Sequence, residues 1–280
     1  MNKKLYKKIV LFPYNPDWAK MYDVEAEDLR RFLGPHCLGL HHMGSTSIPR
    51  LSAKQDLDIM CIVDDLKASL VLQGHGFTYK GEGNIPLRYF FSKNTERSKV
   101  NLHVIEPDHG FIPWNLAFRD YMRTHEDARN AYQALKREIV QNESSGERVQ
   151  NMMPRYTLEK GQFIIDTIEK AGFEDFTINF CFHNSEWESY HRIRREQIFV
   201  PAGKPYVLDD PIYSADNHFH FVLYKGTKVV AVAHVEAVNG SEALVRELAV
   251  DTPHQGKGYD LRLIEIIEKW ARIKDLGPLS

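Results

Sequence analysis

Only three of the 280 residues are cysteine, Cys37, Cys61 and Cys181, and they lie far apart. An odd, dispersed set excludes a disulfide framework and a CxxC metal pair, and it fits a reducing cytoplasm. Positive charge is not in excess either: 36 Lys+Arg stand against 38 Asp+Glu, a net charge of -2. Neither half of the chain carries a large basic surplus, so attraction to nucleic acid or anionic lipid is not the expected function. No apolar run approaches the ~20 residues of a membrane span, so no membrane partner is expected. Internal repeats and low-complexity tracts are absent too, which excludes solenoid and fibrous architectures. At the start, Lys3, Lys4, Lys7 and Lys8 precede a short apolar run with no small-residue cleavage site. This segment reads as a solvated lead-in to a first strand rather than a targeting peptide.

What is present is globular: 43% hydrophobic residues and 26% charged over a length that suits two domains of ordinary size. Strand candidates are 8–12, 37–42, 56–63, 87–91 and 100–106, with a long amphipathic helix over 18–33 and a helix near 66–73. Two or three helices through 123–168 complete a first α+β unit, residues 1–172. After Gly172 the pattern restarts over 173–280 with a helix around 186–199 and strands at 218–224 and 228–238, joined at Gly226-Thr227 as a hairpin. A strand over 243–250 then leads into a helix over 261–273.

Two constellations carry chemistry. Asp56 and Asp58 are two residues apart on a strand, so both carboxylates share a face and could hold Mg²⁺ together with substrate phosphates. Ten residues upstream, Gly44-Ser45-Thr46-Ser47 offers backbone N–H groups and hydroxyls to a phosphate chain, and Lys54 adds a positive charge. Adjacent His41 and His42 point to opposite faces and cannot share a metal. The segments FPYNPDWAKMYDVEAEDLR (12–30), HHMGSTSIPRLSAKQDLDIMCIV (41–63), IPLRYFF (85–91), NLHVIEP (101–107) and LAFRDYMRTHEDARNAYQALKRE (116–138) resemble the GrpB family over residues 9–170. The resemblance implies a nucleotidyltransferase-like mixed sheet with helices, Gly44 and Ser45 at the phosphate-binding position and Asp58 at the acidic one. It implies a nucleoside triphosphate with Mg²⁺ as ligand. Such enzymes commonly carry a third carboxylate on a later strand. Here the candidates are Asn101, His103 and Ile105, of which His103 matches a family histidine and is the expected third metal ligand. Arg88, Arg119 and Lys136 match further family positions. Gln55 and Arg50 depart from the family's usual Pro and Gly.

In ALVRELAVDTPHQGKGYDLRLIEIIEKWARIK (243–274) a strand runs through a two-glycine turn into a helix, whose start suits a pyrophosphate. The segment resembles the GNAT acyl-CoA N-acyltransferases from residue 176 onward. That implies acetyl-CoA held by Gln255, Gly256, Lys257 and Gly258, with Leu248 and Val250 pairing with the pantetheine arm and Glu247 as the base for a small-molecule amine acceptor. Asp260 stands where the family has Gly or Ala, placing a negative charge beside the diphosphate. The family continues past this helix with further strands, so the α/β fold is expected to be partial, its open edge covered by a second copy in a homodimer. The expected protein is a cytoplasmic two-domain transferase. The alternative is a non-catalytic nucleotide- or CoA-binding, dimerising protein with degenerate sites.

Overall fold

The computed structural model describes residues 9–141, 147, 155–277 and 279; the lysine cluster at 3, 4, 7 and 8 lies outside them. The chain divides into two compact units, one of Met1–Gly83 with Arg88–Phe173, the other of Asn84–Leu87 with Glu174–Ser280.

The first unit opens with a single bridge between Phe12 and Ala53 where a strand was expected. Pro13 and Pro16 explain the brevity, because proline cannot donate to a ladder. Helix α1 (Asp17–Leu33) buries Trp18, Ala26, Leu29 and Leu33, a stripe at helical spacing. Strands β1 (Cys37–Met43), β2 (Asp56–Val63), β3 (Thr78–Tyr79), β4 (Arg88–Asn94) and β5 (Lys99–Ile105) form a mixed sheet in the order β1-β2-β5-β4-β3. Only β2 and β5 run parallel. The segment expected as a helix near 66–73 is a 3-10 turn, Lys67–His75, stopped at left-handed Gly76. The helical stretch expected from Arg123 begins earlier, as α2 (Phe111–Thr124), because Pro113 falls in the first turn, where a missing N–H costs nothing. Helices α3 (Glu126–Gln141), α4 (Arg155–Leu158) and α5 (Gly161–Lys170) follow.

The second unit has an antiparallel sheet in the order β6-β7-β8-β9, made of β6 (Phe176–Phe180), β7 (His218–Lys225), β8 (Lys228–Val238) and β9 (Glu242–Val250). Between β6 and β7 lies α6 (Asn184–Arg194), continued by a π-helical turn over Arg195–Phe199 in which Val200 N–H donates to Arg195 O at 2.9 Å. After β9 comes α7 (Tyr259–Ile273). Phe221, Ala231 and Ala233 pack with Leu263, Ile267 and Trp270 of α7, while Val222, Val232 and Ala249 pack with Tyr190 and Ile193 of α6. Burial on both faces explains why β8 reads as a continuous apolar run rather than an alternation. Beyond α7, Leu279 forms a parallel bridge to Ala243, and Leu276 and Leu279 pack on the core. Thus the edge of β9 expected to be open carries a bridge at one end. No helix among the described residues is long and apolar enough to cross a membrane.

Trp270 is fully buried, with ring centroids of Phe219, Phe221 and Phe180 at 4.6, 5.2 and 6.0 Å. Trp270→Ala should therefore destabilise the second unit by ~3–5 kcal/mol in denaturant titration, against ~0.5 kcal/mol or less for the exposed Leu261→Ala.

Candidate functional site

In the first unit the pairing of Met43 with Asp58 sets Gly44, the residue after β1, directly against the Asp58 side chain. Gly44 has φ 68°, and a Cβ there would lie 2.2 Å from Asp58 Oδ2, so both the conformation and the space demand glycine. Asp58 sits opposite Asn101 in the parallel β2–β5 pair, and Asn101 Nδ2 donates to Asp58 Oδ1 at 2.9 Å. Burial raises the Asp58 carboxyl above its ordinary range, opposed by the Asn101 bond and by Lys54. Asp56 shares that face of β2 and is paired with Lys54 at 3.1 Å.

The Gly-Ser turn continues as a 3-10 turn over Ser45–Ser47, held from several sides. Lys136, buried completely, donates to Ser45 Oγ at 3.2 Å and to Ser52 O. Arg123 donates twice to Ser47 O, at 3.0 and 2.8 Å. Lys160 lies 4.3 Å from the centre of the Tyr156 ring, which Lys54 approaches at 5.7 Å. Burial pushes Lys136 down to about 7, helped by Lys160. Lys160 is pushed down to about 8, again by burial first and by Lys54 second, with Asp58 opposing. Three amines that give up protons readily would regain them beside an anion; that is the electrostatics of a phosphate site.

His103 is placed elsewhere. Its Nδ1 lies 3.2 Å from Arg88 Nη1 and its ring stacks on Phe111 at 5.2 Å, while Arg88 Nη2 donates to Glu82 O at 2.6 Å. The residue beside Asp58 is Asn101, whose Oδ1 is buried with no hydrogen-bond partner. Asp56, Asp58 and that oxygen are hard donors of the kind Mg²⁺ takes, so the residues fit the ion. No three His, Cys, Asp or Glu side chains converge as a ready-made metal site among the described residues. Of the three family-matching basic residues, only Lys136 reaches the turn; Arg119 donates to His42 O at 3.2 Å and pairs with Asp120. Arg123, Asn101 and Lys160 were not singled out from sequence as site residues. Asn101 alone had a signal, its place on the Asp58 face.

In the second unit a β-bulge shapes the site. His234 pairs with Glu247 but Val235 pairs with Val245, so Arg246 is an extra residue in β9. Consecutive strand residues normally face opposite ways; here Arg246 and Glu247 both line one cavity of about 520 Å³. Its other walls include His218, His234 and Glu236 of the strands and Phe199, Ile212 and Tyr213 of the segment after α6. Glu247 Oε2 accepts from Arg194 Nε at 2.7 Å and from Arg194 Nη2. Arg194 is 2% exposed, donates to Tyr213 OH at 3.0 Å, and has the rings of Tyr190, Phe199, Tyr206 and Tyr213 within 4.9 to 5.7 Å. Arg246 neutralises Glu236 at 2.6 Å.

A row of histidines runs across the same face. His220 takes the Tyr190 hydroxyl at Nδ1 (2.8 Å) and donates from Nε2 to Ile212 O (3.1 Å). His234 stacks on it at 4.8 Å and is hydrogen-bonded to His218, Nε2 to Nδ1, at 2.7 Å. Burial pushes His220 down to about 3 and His234 down to about 4, so both rings are neutral at physiological pH.

The turn after β9 has Gly256 at φ 71° and Gly258 at φ 74°, and a Cβ on either would meet nothing within 4 Å. Gln255 Nε2 donates to Gln197 Oε1 at 2.9 Å and Lys257 Nζ to Pro253 O at 3.0 Å. Leu248 and Val250 are half-buried on the outer strand, and Asp260 is exposed in the first turn of α7.

His42 tests the polar lining of the first site. It is buried, hydrogen-bonded to Thr46 Oγ1 at 3.0 Å and stacked on Tyr22 at 4.9 Å; burial, then Arg123 and Arg119, push it down to about 4. A folded-state pKa below the unfolded value of ~6.5 gives stability that is present above pH ~6.5 and lost as pH falls toward 4. The loss is on the order of 3 kcal/mol. Thermal unfolding of His42→Gln should accordingly decline less between pH 6.5 and 4 than that of the parent.

The family model described as GrpB protein matches residues 8–170, and that of the acetyltransferase (GNAT) family matches 182–277. Similar curated proteins include the UPF0157 protein YqkA of Bacillus subtilis, 34% identical over 138 residues that cover 48% of this chain and 40% of that one. Another is the UPF0157 protein BH1888 of Halalkalibacterium halodurans, 33% identical over 141 residues, 48% of this chain and 71% of its own. The chain thus spans less than half the length of YqkA. The crystal structure of conserved protein GrpB from Enterococcus faecalis superposes with a TM-score of 0.51 at 28% identity, covering 58% of this chain and 96% of that one. The α+β fold, the Gly44–Asp58 turn and the match over more than half the chain lead to one assignment: the chain belongs to the GrpB family and carries a GNAT-type acetyltransferase domain after it.

Proposed function

We propose that the second unit transfers the acetyl group of acetyl-CoA to the primary amine of a small-molecule acceptor held in the cavity beside Glu247. The observation that carries this reading is the bulge in β9, which turns Arg246 and Glu247 into one cavity while the same strand leads to the two-glycine turn. The first N–H groups of α7 have no intrahelical partner and lie at the positive end of its dipole, which suits the CoA diphosphate. Gln255, Gly256, Lys257 and Gly258 surround it in this reading. The backbone of Leu248 and Val250 pairs with the pantetheine amides. Glu247 faces the acceptor ammonium, which loses a proton before its nitrogen attacks the thioester carbonyl carbon.

For the first unit the cluster of Lys54, Lys136 and Lys160 around Ser45 and Asp58 favours a nucleoside triphosphate as ligand, with nucleotidyl transfer as the reaction class. Asp56 and Asp58 would hold Mg²⁺ there, which would supply charge neutralisation to the phosphates. The lysines bind and orient the phosphate chain, and Ser45 anchors it through hydroxyl and backbone.

Calorimetric titration of the full chain tests both. Acetyl-CoA should bind, and Asp260→Gly should tighten it roughly five- to two-hundredfold by removing a like charge beside the diphosphate. The same change should slightly lower the melting temperature of the free protein, because an acidic residue suits a helix start. Absence of acetyl-CoA binding in both proteins would sink the acetyltransferase reading. Nucleoside triphosphate binding should require Mg²⁺ in the parent and lose that requirement in Asp58→Asn; binding unchanged by that substitution would mark the Asp pair as structural.

A further inference from the structure

We propose that His218 and His234 form the proton-accepting pair of the acetyl-transfer site. This rests on the acetyltransferase reading and says where its proton goes. Glu247, the carboxylate at the family's base position, is not free to act alone: its Oε2 receives two guanidinium N–H groups from Arg194, a side chain 2% exposed. Protonating that oxygen would leave a buried guanidinium without its counter-charge, which is strongly unfavourable. His220 has both ring nitrogens engaged, by Tyr190 and Ile212 O.

The remaining pair differs. His218 and His234 both line the cavity and share one hydrogen bond of 2.7 Å between Nδ1 of His218 and Nε2 of His234. Two neutral imidazoles carry two N–H protons. One lies in the shared bond, and the other sits on the outer nitrogen of the ring that accepts it. Whichever ring donates, the two outer nitrogens, His218 Nε2 and His234 Nδ1, then offer one lone pair and one N–H. The pair can take a proton at one end and release one at the other. Charges facing it are Arg194 from α6, Glu236 of β8, Arg246 and Glu247 of β9 and Asp210 from the segment before β7. The carboxylates among them stabilise a transient imidazolium.

The balance of the step is as follows. The acceptor ammonium gives one proton to the pair's lone pair and becomes a neutral amine. Its nitrogen attacks the thioester carbonyl carbon, forming the C–N bond; the C–S bond breaks, and the electron pair leaves on CoA sulfur. The second nitrogen-bound proton ends on that thiolate, giving amide and free CoA thiol, while the pair returns its proton to solvent.

The test uses the full chain, acetyl-CoA and a panel of primary amines (phenethylamine, tyramine and putrescine), read by thiol release, with acetyl-CoA affinity measured in parallel by calorimetry. His218→Ala and His234→Ala should each lose about a hundredfold or more in kcat/KM with acetyl-CoA affinity unchanged. Added imidazole should restore the His218→Ala rate in proportion to its concentration, a recovery that a merely structural role would not show. Transfer at the parental rate in both variants overturns the pair, as does a loss that imidazole leaves in place. If the parent binds acetyl-CoA and releases no thiol with any amine, the pair falls while CoA recognition stands. If it binds no acetyl-CoA, the acetyltransferase reading falls first and takes the pair with it.

Discussion

A guanidinium can stay buried only where every direction of approach is answered, and in the second unit Arg194 imposes that condition. Its hydrogen bonds reach Glu247 on β9 and Tyr213 on the segment after α6, and aromatic rings flank it on the remaining sides. Breaking such a pair by removing one partner costs about 3–5 kcal/mol, because the other charge is left behind. The placement of α6 against the edge strand, the course of the 200–214 segment and the depth of the cavity all follow from meeting this demand. The bulge at Arg246 belongs to the same arrangement, since it lets a second arginine neutralise Glu236 on the same side without disturbing the first pair.

The first unit solves a similar problem with the signs reversed. Asp58 is a desolvated carboxylate, and what reaches it is an amide from Asn101 and the field of nearby lysines rather than a direct ion pair. Lys136 and Lys160 are correspondingly strained toward their neutral forms. A site in which acid and amines are all pushed away from their comfortable charge states is poised for a ligand that carries both a cation and several anionic oxygens. Natural proteins tolerate such local conflict mainly where function requires it.

Most of the fold was legible in residues. β2, with its run of Ile, Met, Cys and Val, the hairpin at Gly226-Thr227 and the strand–turn–helix ending in α7 follow from apolar periodicity and glycine placement. The partial strands were misjudged where proline decides backbone geometry, as at Phe12, and α2 was missed at its start because Pro113 sits at a position helices accept. At the sites, residues close in sequence were readable and those brought from afar were not. Gly44, Ser45, Asp56 and Asp58 lie within one hairpin, whereas Lys160 arrives from α5 and Asn101 is selected over His103 only by the register of β2 on β5. Likewise Glu247 was readable as a strand carboxylate, but its buried partner Arg194 stood in a basic run whose neighbours Arg192 and Arg195 face other surroundings. Periodicity alone could not tell which of the three arginines turns inward, because the helix changes pitch at that point.

That change of pitch has an evolutionary side. A π-helical turn holds one residue more than the α-helical turn it replaces. Losing one residue between Arg195 and Ile198 would let α6 run on with better hydrogen bonding. It would also rotate everything after the deletion by about 100° around the helix axis, carrying Phe199 off the Arg194 guanidinium and out of the cavity wall. A descendant that shed this residue would thus gain a more regular helix and lose its binding chamber, so single-residue deletions here should be purged from any lineage that still uses the cavity.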